Sequence, residues 1–291
     1  MHCFREFIDT ALSNPNTRTA YGRAITQFLT WCSETGPRRL DQIEPGLIAR
    51  YLQQAEGSEA TLKQHLAAIR ALFNVLAAGG CMSGNPASPV RAPRAGGGRG
   101  RTPILTPAQT RSFLDSIDTS TIIGLRDRAI IGVMVYGFAR VGAVVAMRRE
   151  DYCTDGAQLW FRLPRWNAKH HEIPVHHTAE AYMEDYLDGA RIEEAWSPLF
   201  RTVDRHGELT DASLTRTDVL RMVKRRARAE GFRRRVSCHT FRASGISAYL
   251  ENGGTLEHAQ AIAGHWSTRA TLLYARARNP IPAEEVERIA I

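Results

Sequence analysis

Between Gly84 and Pro107 the chain reads GNPASPVRAPRAGGGRGRTPILTP, and neither a helix nor a central strand can run through it. Pro86, Pro89, Pro93, Pro103 and Pro107 each lock φ and lack an N–H, while Gly96 to Gly98 and Gly100 loosen the backbone between them. A structureless stretch of this length inside one compact domain is unusual. The expectation is therefore two domains, residues 1–88 and 104–291, joined by a flexible linker over 89–103. Arg91, Arg94, Arg99 and Arg101 have no acidic neighbour, so the linker is also basic. A surface loop within one domain is the alternative. The total of 291 residues suits two separate cores.

Composition narrows the class further. With 43% hydrophobic and 23% charged residues the chain is ordinary for a folded globular protein. No run approaches the roughly 18 to 20 apolar residues that span a bilayer. Residues 1–10 carry Arg5, Glu6 and Asp9 and no apolar core, so export is not expected. Five well-separated cysteines without a C-x-x-C spacing argue against a disulfide scaffold or zinc ribbon and fit a reducing cytoplasm. A net charge of +8 favours a polyanionic partner without naming one.

Before the linker the apolar period is helical. Tyr21, Ile25, Phe28 and Cys32 mark one helix, and Leu62, Leu66, Ile69, Phe73 and Leu76 another, with Ser58 as N-cap and Gly79-Gly80 as its stop. Shorter helices over Phe4 to Leu12 and Pro45 to Gln54 complete a small all-α bundle. After the linker, Thr106-Pro107 opens a helix, and Ala129 to Met147 is apolar enough for one or two buried helices. Leu159 to Val175 alternates as two strands turning near Trp166-Asn167. Helices then return over Ala179 to Leu187, Asp211 to Ala229, His239 to Glu251, Leu256 to Ala263 and Thr268 to Arg276.

Two segments hold residues suited to chemistry. In SCHTFRASGISAYLENGG, His239 and Arg242 share a face near a helix N-terminus, where the backbone dipole favours an anion. Taken alone, the pair fits a capping histidine and a surface arginine better than a phosphate site. In AIAGHWSTRATLLYARARN, Gly264 stops a helix, His265 sits on the connection, and Tyr274 lies nine residues further on. A phenol with a pKa near 10 is a poor nucleophile unless cations surround its target. Taken alone, Tyr274 fits a core aromatic better than a nucleophile.

In combination these residues resemble the tyrosine recombinases, the integrase family of site-specific DNA recombinases. His239-Thr240-Phe241-Arg242, Gly264-His265 and Tyr274 follow the family's order and spacing. VMVYGFARVGAVVAM looks like its first arginine box, with Arg140 in the arginine position, and AKHHEIPVH looks like the hairpin that carries its lysine, here Lys169. The resemblance covers the whole chain. It departs at Phe138-Ala139, where many relatives have Gly-Leu, and at Ala143, where many carry an acid.

The resemblance implies a mainly α fold with a small antiparallel β-sheet. It also implies a two-domain C-clamp, a helical core-binding domain plus a catalytic domain, around duplex DNA. It implies attack by Tyr274 on a phosphodiester, giving a 3′-phosphotyrosyl link and a free 5′-hydroxyl. Arg140 and Arg242 would hold the non-bridging oxygens, Lys169 would protonate the leaving oxygen, His239 would handle the tyrosine proton, and His265 would hydrogen-bond the phosphate. Exchanging one phosphoester for another requires no cofactor, metal or ATP. The implied outcome is integration, excision or resolution by a homo-tetramer on a DNA site, monomeric without DNA, in the nucleoid-associated cytoplasm. A type IB topoisomerase-like relaxing activity and a catalytically impaired DNA-binding protein are the rivals, the second because of Ala143.

Three further features stand out. The run HHEIPVHH offers His170, His171, Glu172, His176 and His177, but Pro174 forbids the helix that a zincin motif needs. As a strand it places Lys169 and His171 on one side and His170 and Glu172 on the other, fitting a DNA-proximal hairpin better than a metal site. From Arg216 to Arg235 basic residues dominate, and Arg221, Lys224, Arg225 and Arg228 share a helical face; with Arg216 they are candidate phosphate contacts. The tail NPIPAEEVERIAI has the makings of a short helix with an apolar stripe of Val286, Ile289 and Ala290, folding back or docking on a neighbour.

Overall fold

The computed structural model describes residues 14–37, 39–92, 102–164, 170–232, 236–264 and 283–291. The chain divides into two compact units, residues 1–99 and 100–291.

The described part of the first unit is helical. Helix α1 (Pro15–Thr35) begins with Pro15 at its first position, and the Asn14 side chain accepts from the backbone N–H groups of Asn16 and Thr17. Helix α2 (Pro45–Gln54) also starts on proline, and α3 (Glu59–Ala78) is capped by Ser58 through Thr61. Ile25, Phe28 and Cys32 of α1 and Leu66, Ile69 and Phe73 of α3 turn inward, the faces that the apolar period picks out. Phe28 meets Tyr51 edge-on at 5.1 Å, and the Tyr51 hydroxyl is 2.9 Å from Nδ1 of His65, so both buried polar atoms are satisfied. The start of the Pro/Gly-rich stretch belongs to this core: Ala87 and Val90 are buried, and Arg70 donates to the carbonyl oxygens of both. The helix expected over Phe4 to Leu12 lies outside the described residues.

The second unit is built around α5 (Ile122–Tyr136), whose residues from Ala129 onward are all buried. A helix apolar all round belongs at the centre of a domain. Helix α4 (Pro107–Asp115) precedes it, closed by a reciprocal Thr106–Gln109 capping box. The apolar run to Met147 is two helices, because the backbone breaks at Gly137–Arg140 before the one-turn α6 (Val141–Val144). A three-stranded antiparallel sheet follows: β1 (Tyr152–Asp155), β2 (Gln158–Pro164) and β3 (His170–Pro174), with Phe161 opposite both Tyr152 and Ile173. Phe161, Leu163, His171 and Ile173 point inward, while Arg162 and Glu172 pair across the outer face at 3.0 Å.

After α7 (His177–Ala190) comes a small hairpin of β4 (Arg201–Val203) and β5 (Leu209–Ser213). This corrects the sequence expectation of a helix from Asp211. The helix, α8 (Arg216–Ala229), starts five residues later because Thr215 and Asp218 form a capping box there. Helices α9 (Cys238–Glu251) and α10 (Leu256–Ala263) complete the described core. Helix α9 lies directly on α5: a Cβ at Gly245 would collide with the carbonyl oxygen of Val135, so only glycine permits this approach.

The tail, with the one-turn α11 (Ala283–Val286), is seated on its own unit. Val286, Ile289 and Ile291 are buried there, whereas Ala290, expected in the apolar stripe, is exposed. Tyr249 donates to Glu285, the His177 backbone N–H donates to Glu287 at 3.0 Å, and Arg111 donates to the carbonyl of Ile291. No helix among the described residues is long and apolar enough to cross a membrane.

Candidate functional site

Arg140 and Arg242 lie 102 residues apart in the sequence and are linked through the break after α5. Arg140 is the exposed N-cap residue of α6, with extended backbone. Arg242 sits on α9 and is only 2% exposed. Its guanidinium donates from Nη1 to the carbonyl of Phe138 and from Nη2 to the carbonyl of Ala263 at 2.8 Å. The first carbonyl precedes Arg140 by two residues and the second precedes His265 by two. Arg242 therefore pins together the two chain segments on either side of it.

That arrangement depends on Phe138. Its φ of 45° is left-handed, a conformation that costs a non-glycine residue roughly 1–2 kcal/mol. The ring is fully buried, edge-on to Tyr249 at 6.0 Å, and that packing holds the strained residue in place.

His239 stands one turn before Arg242 near the N-terminus of α9, and is exposed. Partial desolvation of its ring, the Arg242 charge and the Arg140 charge together hold its pKa below the usual histidine value. Burial and the Arg140 charge also push the Arg242 guanidinium down to about 10, still charged at neutral pH. Two guanidiniums and an imidazole crowded at a helix N-terminus form a local excess of positive potential, the electrostatic setting for a phosphate. Ala143 is half-buried on α6 and packs against the core. Lys169, His265 and Tyr274 lie outside the described residues.

A residue without an assigned role joins this site. His171 on β3 is 7% exposed, and its Nε2–H donates to the carbonyl of Ile262 at 2.8 Å. Ile262 and Ala263 are the last two residues of α10, whose terminal carbonyls have no partner within the helix. His171 satisfies one and Arg242 the other. Strand alternation shows which way His171 faces; the partner ninety-one residues away is visible only in three dimensions.

The remaining histidines of the run are placed differently. His170 faces Asp151 at 3.6 Å, and His176, His177 and Glu287 bring three possible metal-ligating atoms within 4.8 Å of one another. Nδ1 of His176 accepts from the Thr178 N–H at 3.1 Å, so the neutral ring carries its proton on Nε2, which lies 3.6 Å from Glu287. A metal there would need the lone pair of Nε2. The hydrogen-bond pattern instead makes the trio a clasp for the tail.

The basic face is also resolved. Arg221, Lys224, Arg225 and Arg228 are exposed on α8 while Val219, Met222, Val223 and Ala227 are buried, so the four cations share the outward face. Arg216 is exposed at the helix start, its Cδ beside Gly142 of α6. Arg226 does not belong to that face: its Nε and Nη2 hold the fully buried Asp127 at 3.0 and 2.7 Å. Periodicity alone does not single it out among its neighbours.

The chain matches the phage integrase family over residues 103–279 and the phage integrase N-terminal SAM-like domain over residues 6–80. It is 27% identical over 267 residues to the tyrosine recombinase XerD of Listeria monocytogenes serotype 4b, which spans 89% of this chain and 87% of that protein. It is also 27% identical over 280 residues to the tyrosine recombinase XerC of Pelobacter propionicus, spanning 94% and 89%. Its fold is similar to that of the XerH site-specific recombinase bound to palindromic difH substrate in a post-cleavage complex. There the TM-score is 0.70 at 18% identity, over 88% of this chain and 75% of that one. A lambda integrase tetramer bound to a Holliday junction gives 0.66 at 18% identity, over 91% and 77%. With a family match over more than half its length, the chain belongs to the phage integrase family, the tyrosine recombinases.

Proposed function

We propose that this chain is a site-specific tyrosine recombinase that cleaves and rejoins duplex DNA through a covalent 3′-phosphotyrosyl intermediate. The observation that carries the proposal is how Arg140, Arg242 and His239 are brought together: Arg242 donates to the Phe138 carbonyl two residues before Arg140, and His239 stands one turn before Arg242 on α9. A cationic site of this kind suits a phosphorane, where negative charge grows as the nucleophile arrives.

In the proposed reaction the Tyr274 oxygen forms a bond to phosphorus as its proton leaves, with His239 as the acceptor. The bond from phosphorus to the 5′-oxygen breaks, and that oxygen takes a proton from Lys169. Arg140, Arg242 and His265 hold the non-bridging oxygens. Attack by the 5′-hydroxyl of another strand reverses each step. The phosphoester bond is conserved, so the cycle needs no cofactor, metal or ATP.

The proposed organisation is a core-binding domain over residues 1–88, a linker over 89–103 whose first residues pack on that domain through Val90, and a catalytic domain over 104–291. Arg216, Arg221, Lys224, Arg225 and Arg228 would contact the phosphate backbone, which orients a duplex without specifying its sequence. A homo-tetramer assembled on DNA, acting at the nucleoid in the cytoplasm, follows from the same proposal. The solved lambda integrase tetramer on a Holliday junction supports it by analogy of fold.

The test starts from a library of randomised duplexes, enriched for those the protein binds. Versions of the winning duplex with a nick at each successive position trap any cleaved strand. A denaturation-resistant protein–DNA adduct that disappears in Tyr274→Phe is the expected result. Binding without an adduct at any nick position would leave only the impaired DNA-binding protein. Relaxation of supercoiled plasmid irrespective of sequence would move the assignment to a topoisomerase.

A further inference from the structure

Resting on that assignment, we infer that His171 is a positioning residue for the proton-donating hairpin of the cleavage step. Its strand, β3, begins at His170, immediately after Lys169, and pairs with β2 through Pro164–His170 and Leu163–His171. From the inward face of that strand, the buried Nε2–H of His171 reaches the carbonyl of Ile262 at 2.8 Å. Ile262 lies three residues before His265. One hydrogen bond therefore ties the hairpin that leads to the lysine to the helix end that leads to the second histidine.

The chemistry of that bond favours a tether. A carbonyl can only accept, so Nε2 must hold the proton, and both groups are buried, where an unmade hydrogen bond is costly. The bond also supplements Arg242 on the adjacent Ala263 carbonyl, so the end of α10 is held from two directions by two long-range side chains. A leaving 5′-oxygen cannot wait for a distant acid: a misplacement of about 1 Å lowers a rate by about a hundredfold. A side chain that fixes the hairpin against α10 therefore sets how well the amine is presented without itself touching DNA.

The inference separates from a general weakening of the fold by the choice of leaving group. An alkoxide conjugate to an alcohol about as weakly acidic as water, with a pKa of about 16, needs a proton as it leaves. A 5′-thiolate, with a thiol pKa of about 8.5, does not. The experiment uses the full chain and two nicked duplexes of the selected sequence, one with the ordinary phosphodiester and one with a 5′-bridging sulfur. Single-turnover cleavage is measured with wild type, His171→Ala, His171→Gln and Lys169→Ala.

His171→Ala should cleave the ordinary duplex about 10 to 100 times more slowly, within the range that a mispositioned acid produces, with DNA affinity within about twofold of wild type. On the sulfur-containing duplex its rate should return to within about threefold of wild type, as should that of Lys169→Ala. His171→Gln, which keeps an N–H donor of similar reach, should recover most of the ordinary rate. Equal slowing of His171→Ala on both duplexes, or an unslowed His171→Ala, overturns the inference. If His171→Ala does not fold, the decision passes to His171→Leu, which fills the site but lacks the donor: slowing on the ordinary duplex alone sustains the inference, and any other pattern overturns it. Absence of cleavage by wild type on both duplexes would instead refute the recombinase assignment on which it rests.

Discussion

Asp127 gives the sharpest test of how the second unit is held together. Its carboxylate is fully buried on α5 and is gripped from two sides. Arg126 donates from Nε and Nη2 to Oδ1 at 3.2 and 2.9 Å, and Arg226 from α8 donates from Nε and Nη2 to Oδ2 at 3.0 and 2.7 Å. Asp127→Asn leaves the volume unchanged but turns one oxygen into an NH2 group facing a guanidinium fork. One arginine then loses both bonds, and the carboxylate charge that offset two largely buried cations is gone. Breaking a buried ion pair in this one-sided way costs roughly 3–5 kcal/mol. For a unit the size of residues 100–291, each kcal/mol moves Tm by about 2–4 °C, so the transition of this unit should fall by roughly 6–20 °C. Scanning calorimetry of the full chain provides its own control, because the transition of the first unit should stay in place. A fall of less than about 3 °C would mean that the pair is not a net anchor, and that α8 is fixed by its apolar face alone.

Other consequences are as direct. Burial pushes the pKa of His176 down to about 4, so its folded state resists a proton that the unfolded chain accepts near 6.5. Stability should therefore fall as pH drops from about 6.5 towards 4, by about 3 kcal/mol from this group. His176→Asn keeps an acceptor for the Thr178 N–H, and chemical denaturation across that range should show a visibly flatter acid limb. Gly245→Ala sets a methyl against the Val135 carbonyl and should cost roughly 1–3 kcal/mol or more by displacing α9 from α5, read as a lower denaturation midpoint. Lys224→Ala removes an exposed cation without disturbing the core. DNA affinity should weaken by a similar factor on every duplex, and the slope of log affinity against log salt should shrink by about one.

Much of the fold is legible from local patterns. Ser58 and Thr106 announce helix starts because a capping side chain bonds only its near neighbours. The period in α1 and α3 marks the buried faces for the same reason of locality. The start of α8 is the instructive miss: Asp211 begins an apolar-spaced run, but the reciprocal Thr215–Asp218 cap defines the boundary and leaves β5 free to pair. Arg226 is a second. Within a run of cations no local rule separates a solvated arginine from a buried anchor, because Asp127 lies ninety-nine residues away.

The candidate site divides along the same line. The order and spacing of motifs carry the resemblance that picks out Arg140, His239 and Arg242 as candidates, while taken alone the His239–Arg242 pair fits a cap and a surface arginine better. Tertiary structure alone decides that Phe138 adopts a left-handed backbone beneath a buried ring, that Arg242 bridges the Phe138 and Ala263 carbonyls, and that His171 answers Ile262. Each of those contacts joins segments far apart in sequence, and only the packing of α9 and the sheet around α5 brings their atoms within hydrogen-bonding distance.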